Sequence, residues 1–241
     1  MPHKSLEEPS RNEIWKMFDT ISSTYDRTNR FMTFGLDLYW RKKMASFLPS
    51  KKGLHLLDCA TGTADQIISL MQNTSSIEQA VGIDLSEEML CIGQRKIRGL
   101  PFQNNVQLHV ASALNLPFEK DSFDCITMSF GIRNVTDTAL CLKEMMRVLK
   151  PGGRILILET SIPKTSFIKA FHLFYLRNLL PLVGGWISKQ KKAYQYLNQT
   201  TETFPSGHAF CDKIQEIGFA KVHCHPLTFG SVSIYRGDKP L

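Results

Sequence analysis

Short runs of apolar residues alternate along the chain with longer stretches in which apolar positions recur at helical spacing. Four to eight apolar residues bounded by turn residues are typical of a buried strand, whereas longer stretches with a period of 3.6 are typical of an amphipathic helix. The runs that predict strands are Leu54–Cys59, Ala80–Asp84, Val106–Val110, Phe123–Met128, Arg154–Glu159, Phe219–His225 and Ser231–Tyr235.

The intervening stretches predict helices. They cover about Arg11–Tyr25, Ala64–Met71, Ser86–Ile97 and Asp137–Leu149, and an aromatic and basic helix follows the fifth strand. Ser86 precedes two acidic residues, as expected of a helix N-cap, and Pro151-Gly152-Gly153 predicts a turn. Strands that alternate with helices predict an α/β fold with a mainly parallel sheet covered on both faces.

In such sheets, ligands bind beyond the carboxyl ends of the strands. The first strand leads into LLDCATGTAD, which contains Asp58, Gly62 and Thr63. The loop lacks both the glycine spacing of dinucleotide enzymes and a Walker lysine, so a phosphate ligand is disfavoured. Its small residues favour a cofactor whose carboxylate and amine meet the loop.

The other strand ends carry matching polar residues. Asp84 ends the second strand, 22 residues after Gly62, and a carboxylate there can accept both hydroxyls of a ribose. Ser112-Ala113 follows the third strand and is placed to meet an adenine, while Ser129 follows the fourth. Together these positions predict an S-adenosylmethionine site.

Arg133 and Asn134 lie just past the fourth strand, in SFGIRNVTD. Their position predicts that both face the ligand crevice. A salt bridge or a loop contact is the structural alternative for Arg133. Tyr25, Asp26 and Asn29, near the end of the first helix, are interpreted as a lid over the cofactor, with helix capping as the alternative.

The chain has 241 residues, a length that suits one large α/β domain. Its net charge of +7 is concentrated, since residues 160–201 contain no acid but six basic residues among aromatic ones. Core packing with solvated lysines is one interpretation of this segment, and a nucleic-acid surface is disfavoured by its aliphatic content. The mixture favours a helix on an anionic membrane surface.

The N-terminus is polar and contains acids, unlike a secretory signal. No window has 18 uninterrupted apolar residues, which argues against a spanning helix. The six cysteines form no C-x-x-C pair and predict reduced thiols in the cytoplasm. Strand alternation places Cys224 opposite its two histidine neighbours, so we expect no metal site.

Several stretches resemble a known family. GIDLSEEML, LPFEKDSFD and RVLKPGGRILILETS are similar to class I methyltransferases, and YDRTNRFMTFGLDLYW, FGIRNVTD and YQYL narrow the resemblance to the ubiquinone/menaquinone biosynthesis C-methyltransferases. The resemblance implies one domain with a Rossmann-like seven-stranded sheet whose last strand is antiparallel. It also implies an N-terminal helical lid over about residues 11–48 and a basic and aromatic segment for substrate and membrane over about residues 160–201.

The activity implied is S-adenosylmethionine-dependent methylation of a polyprenyl quinol ring, with demethylmenaquinol preferred as acceptor over 2-methoxy-6-polyprenyl-1,4-benzoquinol. Arg133 is then expected to stabilise the phenolate, with a hydrogen bond from Asn134, and Tyr25 to contact the cofactor. Tyr194 and Tyr196 are expected to line the quinol pocket. A cytoplasmic enzyme docked on the inner face of the membrane follows from such a substrate, and a homodimer is possible.

The sequence departs from the family pattern at five positions. Ala64 replaces a glycine, Ser112 an acid or asparagine, and Asp37 a histidine, while Thr28 and Thr33 replace a methionine and a serine. The alternatives are a methyltransferase for another small acceptor and a non-catalytic scaffold that binds S-adenosylmethionine. Nucleic-acid methylation is disfavoured because neither an N-P-P-[FYW] motif nor a Pro-Cys nucleophile is present.

Overall fold

A computed structural model of the chain describes residues 14–179 and 199–241. The predicted residues Lys189, Lys191, Lys192, Tyr194 and Tyr196 lie outside the described part. The strands are β1 (Leu54–Cys59), β2 (Ile77–Asp84), β3 (Val106–Val110), β4 (Phe123–Ser129), β5 (Leu149–Thr160), β6 (Ala220–Leu227) and β7 (Val232–Asp238). The helices are α1 (Ile14–Met32), α2 (Leu36–Met44), α3 (Asp65–Asn73), α4 (Glu87–Ile97), α5 (Thr138–Val148), α6 (Ser166–Phe174) and α7 (His208–Glu216).

The strands form one seven-stranded sheet in the order β3-β2-β1-β4-β5-β7-β6. β1 to β5 pair in parallel, and β7 is antiparallel to both neighbours. The predicted fold is therefore confirmed, including the antiparallel last strand. The strand order reverses between β1 and β4, whose carboxyl ends flank the crevice where such folds bind ligands.

Buried side chains cover both faces of the sheet, as a parallel sheet requires. One cluster packs Ile126 and Ile155 against α5 and α7, and the other packs Leu56 and Leu156 against α2 and α3. Every residue of β4 is buried, so the strand that leads to Arg133 is fixed on both faces.

The helices differ from the sequence expectation at the N-terminal side. α1 continues seven residues past Tyr25 to Met32, because Ile21, Thr28 and Met32 keep a buried stripe at helical spacing. α7 was not predicted, whereas α2 lies within the N-terminal helical lid expected over about residues 11–48. The short amphipathic α2 buries Trp40 and Met44 against the sheet.

Pro151-Gly152-Gly153 was predicted as a turn, and that prediction is wrong. These residues lie within β5, where the register with β4 shifts between the pairs Phe123–Leu149 and Cys125–Arg154. Gly152 adopts φ 74° and donates its N–H to the Lys239 carbonyl at 3.0 Å. The glycines thus form a bulge that remains paired to the chain end.

Candidate active site

A cavity of about 320 Å³, which we call the strand-end cavity, opens beyond the carboxyl ends of the central strands. The loops after β1, β2, β3 and β4 all contribute to its walls, and α1 covers it with Ile14, Trp15, Phe18 and Tyr25. The volume is within the range of small-molecule sites.

Most of the residues predicted to bind the cofactor line this cavity. They are Tyr25, Gly62, Asp84, Ser112, Ala113 and Ser129. Asn134, predicted as a catalytic residue, lines it too. The topology therefore brings together side chains separated by up to about a hundred residues, as the strand ends predicted.

Asp84 is fixed by two backbone donors. Its Oδ2 accepts the N–H of Gly62 at 2.8 Å and its Oδ1 accepts the N–H of Ser86 at 2.9 Å. Burial raises the pKa of the Asp84 carboxyl, while these backbone hydrogen bonds oppose the shift. The carboxylate is thus held in one orientation with acceptor capacity left for a ligand.

Asp58 and Thr63 lie behind the walls rather than among the lining residues. Asp58 is 1% exposed and accepts the hydroxyl of Thr127 at 2.5 Å, and burial raises its pKa to about 6. The hydroxyl of Thr63 donates to Asp26 Oδ1 at 2.7 Å and so connects the β1–α3 loop to α1. Both residues support the loop that faces the cavity.

The chemistry of the lining residues fits S-adenosylmethionine. No atom lies within 4 Å of where a Cβ of Gly62 would stand, and its φ of +56° is one that glycine adopts freely. The Oδ1 of Asn134 is buried and has no hydrogen-bond partner among the described residues, so it can accept from an amino group. The Asp84 carboxylate can accept the ribose hydroxyls, and the open loop at Gly62 offers its backbone to the ligand.

Ala64, which replaces the family's glycine, is fully buried and adopts a left-handed conformation with φ 62°. This conformation costs an alanine roughly 1 kcal/mol relative to glycine. The loop therefore keeps the glycine-like shape despite the substitution, and the departure changes its stability rather than its path.

A second cavity of about 440 Å³, the helix-lined cavity, adjoins the first. It lies among α1, α2 and α6, and Tyr25 and Phe130 line both cavities. The two cavities therefore meet at these two side chains. Arg133 lines the helix-lined cavity, together with Arg41, Asp37 and His172.

Arg133 forms a buried ion pair with Glu159. The Nη1 of Arg133 donates to Glu159 Oε1 at 2.5 Å and to the Phe130 carbonyl at 3.0 Å, and the Glu159 side chain is fully buried. Arg133 therefore forms the salt bridge that was the structural alternative, and it also lines a cavity. Its Nε is buried without a hydrogen-bond partner among the described residues.

Sequence reasoning missed Arg41, Glu159 and His172. Arg41 directly follows the family-like stretch that ends at Trp40. Glu159 ends an apolar run, and an acid at the end of a buried strand is a signal that could have identified it. His172 gave no signal because it lies inside the aromatic segment. Its Nε2 is buried without a partner among the described residues, and burial lowers its pKa.

A chain of ion pairs fixes α1 and α2 over the site. Lys96 contacts both Asp26 and Asp65, and Arg30 contacts both Asp65 and Asp37. Asp37, which replaces the family's histidine, is 3% exposed and also accepts the hydroxyl of Thr33 at 2.8 Å. Its carboxylate therefore belongs to the network that holds the two helices together.

Among the described residues, no group of three or more His, Cys, Asp or Glu side chains is placed to hold a metal ion. The rings of His223 and His225 lie 6.2 Å apart on one face of β6, as strand alternation predicted. The described cysteines are free thiols.

The model of the ubiE/COQ5 methyltransferase family matches residues 6–239. The chain belongs to this family. It is 40% identical over 227 residues to "Ubiquinone/menaquinone biosynthesis C-methyltransferase UbiE" of Geotalea daltonii, covering 94% of this chain and 96% of that protein. It is 37% identical over 229 residues to "Demethylmenaquinone methyltransferase" of Staphylococcus saprophyticus, covering 95% and 97%.

A solved structure with the same fold is a SAM-dependent methyltransferase of Thermotoga maritima, described as a possible histamine N-methyltransferase. It has a TM-score of 0.65 at 20% identity and covers 94% of this chain and 99% of that one. Membership of the ubiE/COQ5 family makes this chain an S-adenosylmethionine-dependent methyltransferase with the class I fold.

Proposed function

We propose that this enzyme methylates a ring carbon of a polyprenyl quinol and that the acceptor is demethylmenaquinol, which becomes menaquinol. The meeting of the two cavities at Tyr25 and Phe130 carries the proposal, since a donor and an acceptor bound on either side would touch there. The names of the two relatives given above share menaquinone, which favours the naphthoquinol ring.

The strand-end cavity suits the methyl donor. Asp84 would accept the ribose hydroxyls, Ser112 and Ala113 would lie beside the adenine, and Gly62, Ser129 and Asn134 would meet the remaining polar groups. When bound there, S-adenosylmethionine supplies an electrophilic methyl group. Little more than alignment of the donor with the ring carbon is then needed, because holding two reactants in line removes much of the barrier.

The acceptor carbon becomes nucleophilic when the neighbouring hydroxyl ionises. A phenol with a pKa of about 10 is ionised to roughly one part in a thousand at pH 7, a shortfall of about 4 kcal/mol. Positive charge in a site closed to water lowers that shortfall. The helix-lined cavity offers Arg133 and Arg41 for this purpose, both less than a tenth exposed.

The outer edge of the helix-lined cavity suits a bilayer-borne tail. Phe34, Phe171 and Phe229 line it yet remain 81%, 67% and 81% exposed. Phe34 and Phe229 hold positive φ angles of 52° and 56°, which are uncommon for aromatic residues and cluster at functional sites.

The surface beside this edge is apolar and basic. Phe167 and Phe174 are exposed on α6, next to the exposed Lys164 and Lys169. Each basic residue near an anionic leaflet contributes about 1 kcal/mol. Arg177 contributes less, because it pairs with Glu202 at 2.6 Å. We therefore propose reversible docking on the inner face of the membrane; among the described residues, no helix is long and apolar enough to span a bilayer.

The test of the function is methyl transfer from labelled S-adenosylmethionine to reduced demethylmenaquinone, compared with the reduced 2-methoxy-6-polyprenyl-1,4-benzoquinone. The control is Asp84→Asn, in which we expect both cofactor binding and transfer to fall. Preference for the naphthoquinol supports the proposal. Preference for the benzoquinol contradicts the choice of ring, and cofactor binding without transfer to either acceptor contradicts the proposed activity.

A further inference from the structure

We propose that the hydroxyl of Thr160 selects the reduced, quinol form of the acceptor, because it accepts a hydrogen bond from the acceptor hydroxyl that keeps its proton. The inference rests on the proposed quinol acceptor and names the residue that distinguishes it from the oxidised quinone. It concerns the helix-lined cavity, where Thr160 and Arg133 are both lining residues.

Thr160 lies at the ligand-binding edge of the sheet. It is the last residue of β5, which neighbours β4 in the sheet, and β4 ends at Ser129 in the strand-end cavity. Parallel strands end at the same edge of a sheet, which is where such folds bind ligands. Thr160 thus has the same kind of strand-end position in the helix-lined cavity that Asp84 and Ser129 have in the strand-end cavity.

The Thr160 hydroxyl is fixed as a hydrogen-bond acceptor toward the cavity. Its Oγ1 lies 3.1 Å from Glu159 Oε1 and 3.3 Å from the Oγ1 of Thr201. The carboxylate is the closer and the charged acceptor, so it takes the hydroxyl hydrogen of Thr160. A hydroxyl has one hydrogen and two lone pairs. With one lone pair turned to Thr201, the other remains for a donor group of a ligand.

Arg133 offers the complementary group, a charged donor. Its Nη1 donates to Glu159 Oε1 at 2.5 Å and to the Phe130 carbonyl at 3.0 Å. Its Nη2 has no hydrogen-bond partner among the described residues, and it is not one of their buried atoms without a partner. The N–H groups of Nη2 are therefore open to the cavity that Arg133 lines.

One buried carboxylate oxygen holds both groups in place. Glu159 is fully buried, and its Oε1 accepts from Arg133 Nη1, from the Thr160 hydroxyl and from the Thr160 N–H, the last at 2.7 Å. The donor of Arg133 and the acceptor of Thr160 are therefore bridged by a single atom. Neither can turn away without the loss of a hydrogen bond to a charged group, which is the stronger kind.

This fixed pair of one donor and one acceptor matches a quinol that has lost one proton. Such a ring carries one anionic oxygen, which suits the guanidinium of Arg133, and one hydroxyl, whose hydrogen suits Thr160 Oγ1. The quinone carries two carbonyl oxygens and no hydroxyl, so one oxygen would face the lone pair of Thr160 with no hydrogen between them. A site built to hydrogen-bond a hydroxyl rejects the analogue that lacks it, because a buried polar group is then left unpaired.

Another hydroxyl of the same cavity has the opposite polarity. The Oγ1 of Thr228 accepts the indole N–H of Trp40 at 2.7 Å, and Thr228 lines the helix-lined cavity. Its own hydrogen can therefore be donated to a ligand oxygen. A donor serves the oxygens of quinol and quinone alike, so Thr228 gives a matched comparison for Thr160.

The test is the affinity of the enzyme for the two redox forms of one ligand, 2-prenyl-1,4-naphthoquinone and its quinol, measured by anaerobic equilibrium dialysis. We expect wild type to bind the quinol at least about tenfold more tightly, Thr160→Val to reduce this preference about tenfold, and Thr160→Ser to keep it. The midpoint potential of the bound ligand measures the same preference independently. It rises by about 30 mV for each tenfold preference for the form reduced by two electrons.

The matched control is Thr228→Val, which also removes one hydroxyl from the cavity. We expect it to leave the ratio of the two affinities within about twofold of the wild-type ratio, since it takes away a donor and not an acceptor. Calorimetric S-adenosylmethionine affinity and near-ultraviolet circular dichroism identify variants that keep the fold. If Thr160→Val is poorly folded, Thr160→Ala gives the same comparison with Thr160→Ser.

Three results would overturn the inference while the proposed function stands. They are equal binding of both redox forms by wild type, a wild-type preference in Thr160→Val or Thr160→Ala, and an equal loss of preference in Thr160→Ser or Thr228→Val. A different result separates the two proposals. If folded wild type binds neither form, the naphthoquinol acceptor itself is wrong, and the inference fails with it.

Discussion

Arg133 and Asn134 are adjacent in the chain but line different cavities. They lie in a single 3₁₀ turn, Ile132–Asn134, in which successive side chains point about 120° apart. Asn134 therefore faces the proposed donor site, and Arg133 faces the proposed acceptor site. We therefore propose a division of roles between them, where the sequence led us to expect that both meet the quinol oxygen.

The first prediction concerns the Asn134 side chain. Asn134→Leu should weaken S-adenosylmethionine binding about tenfold, because the loss of one hydrogen bond in a closed site costs roughly 1 to 1.5 kcal/mol. Asn134→Asp keeps the acceptor oxygen and should weaken binding less. Isothermal calorimetry measures both affinities, and equal affinities for wild type and the leucine variant would disprove the role.

The second prediction concerns the buried pair of Arg133 and Glu159. Glu159→Gln should lower the free energy of unfolding by about 3 kcal/mol, since it leaves the guanidinium buried without its counter-ion. The double variant Arg133→Met/Glu159→Gln should lose less free energy of unfolding than Glu159→Gln, because it leaves no unpaired buried charge. Urea unfolding followed by circular dichroism checks this order; a double variant less stable than Glu159→Gln would refute it.

The third prediction is a pH dependence that arises from Asp58. Burial raises its pKa in the folded protein to about 6, above the unfolded value of about 3.9. The folded state therefore binds the proton more tightly, so ionised Asp58 destabilises the protein above pH 6, and the penalty disappears as the pH falls. Relative to Asp58→Asn, wild type should gain about 2 kcal/mol between pH 7.5 and pH 4.5.

Chemical unfolding of wild type and Asp58→Asn at both pH values measures this gain. The comparison cancels the titration of all other groups that the two proteins share. A difference that stays constant with pH, or that moves the other way, would show that the carboxyl is not held in a desolvated site.

The fourth prediction concerns membrane docking. Phe171→Ser/Phe229→Ser should reduce co-sedimentation with liposomes that contain anionic lipid, because it removes two exposed rings at the edge of the helix-lined cavity. Leu140→Ser, which changes an apolar side chain 41% exposed on α5, is the matched control. Equal loss in both variants, or no loss in either, would argue against this surface.

The fifth prediction concerns the ion pairs above the site. Lys96→Met removes the contacts to Asp26 and Asp65, and should increase amide hydrogen exchange in α1 and weaken S-adenosylmethionine binding several-fold. Lys143→Met, an exposed lysine of α5 outside the described ion pairs, serves as control. Unchanged exchange in α1 would mean that packing alone holds the helix.

The sequence predicted the strand ends well because each buried strand leaves a local signal. Asp84, Ser112 and Ser129 could be assigned to one site from their positions alone, since parallel strands end at the same edge. The partner of Arg133 could not be predicted in this way. Glu159 is 26 residues away, and it meets Arg133 only because β4 and β5 are neighbours in the sheet.

Other features depended on packing that the chain order does not reveal. The sequence predicted that the first helix ends near Tyr25, yet α1 continues to Met32, and its residues Asp26 and Arg30 pair with Lys96 and Asp65. The bulge at Gly152 depends on a backbone hydrogen bond to Lys239, which is 87 residues later in the chain. Tertiary contacts of this kind override local turn preference.

The cover that α1 gives to both cavities has a kinetic consequence. Tyr25 of this helix lines the two sites at once, with Phe18 on one side and Met32 on the other. Displacement of α1 would therefore open the donor site and one wall of the acceptor site together. We expect added viscosogen to slow release of the spent donor, whereas the methylated product can leave through the exposed edge lined by Phe34, Phe171 and Phe229.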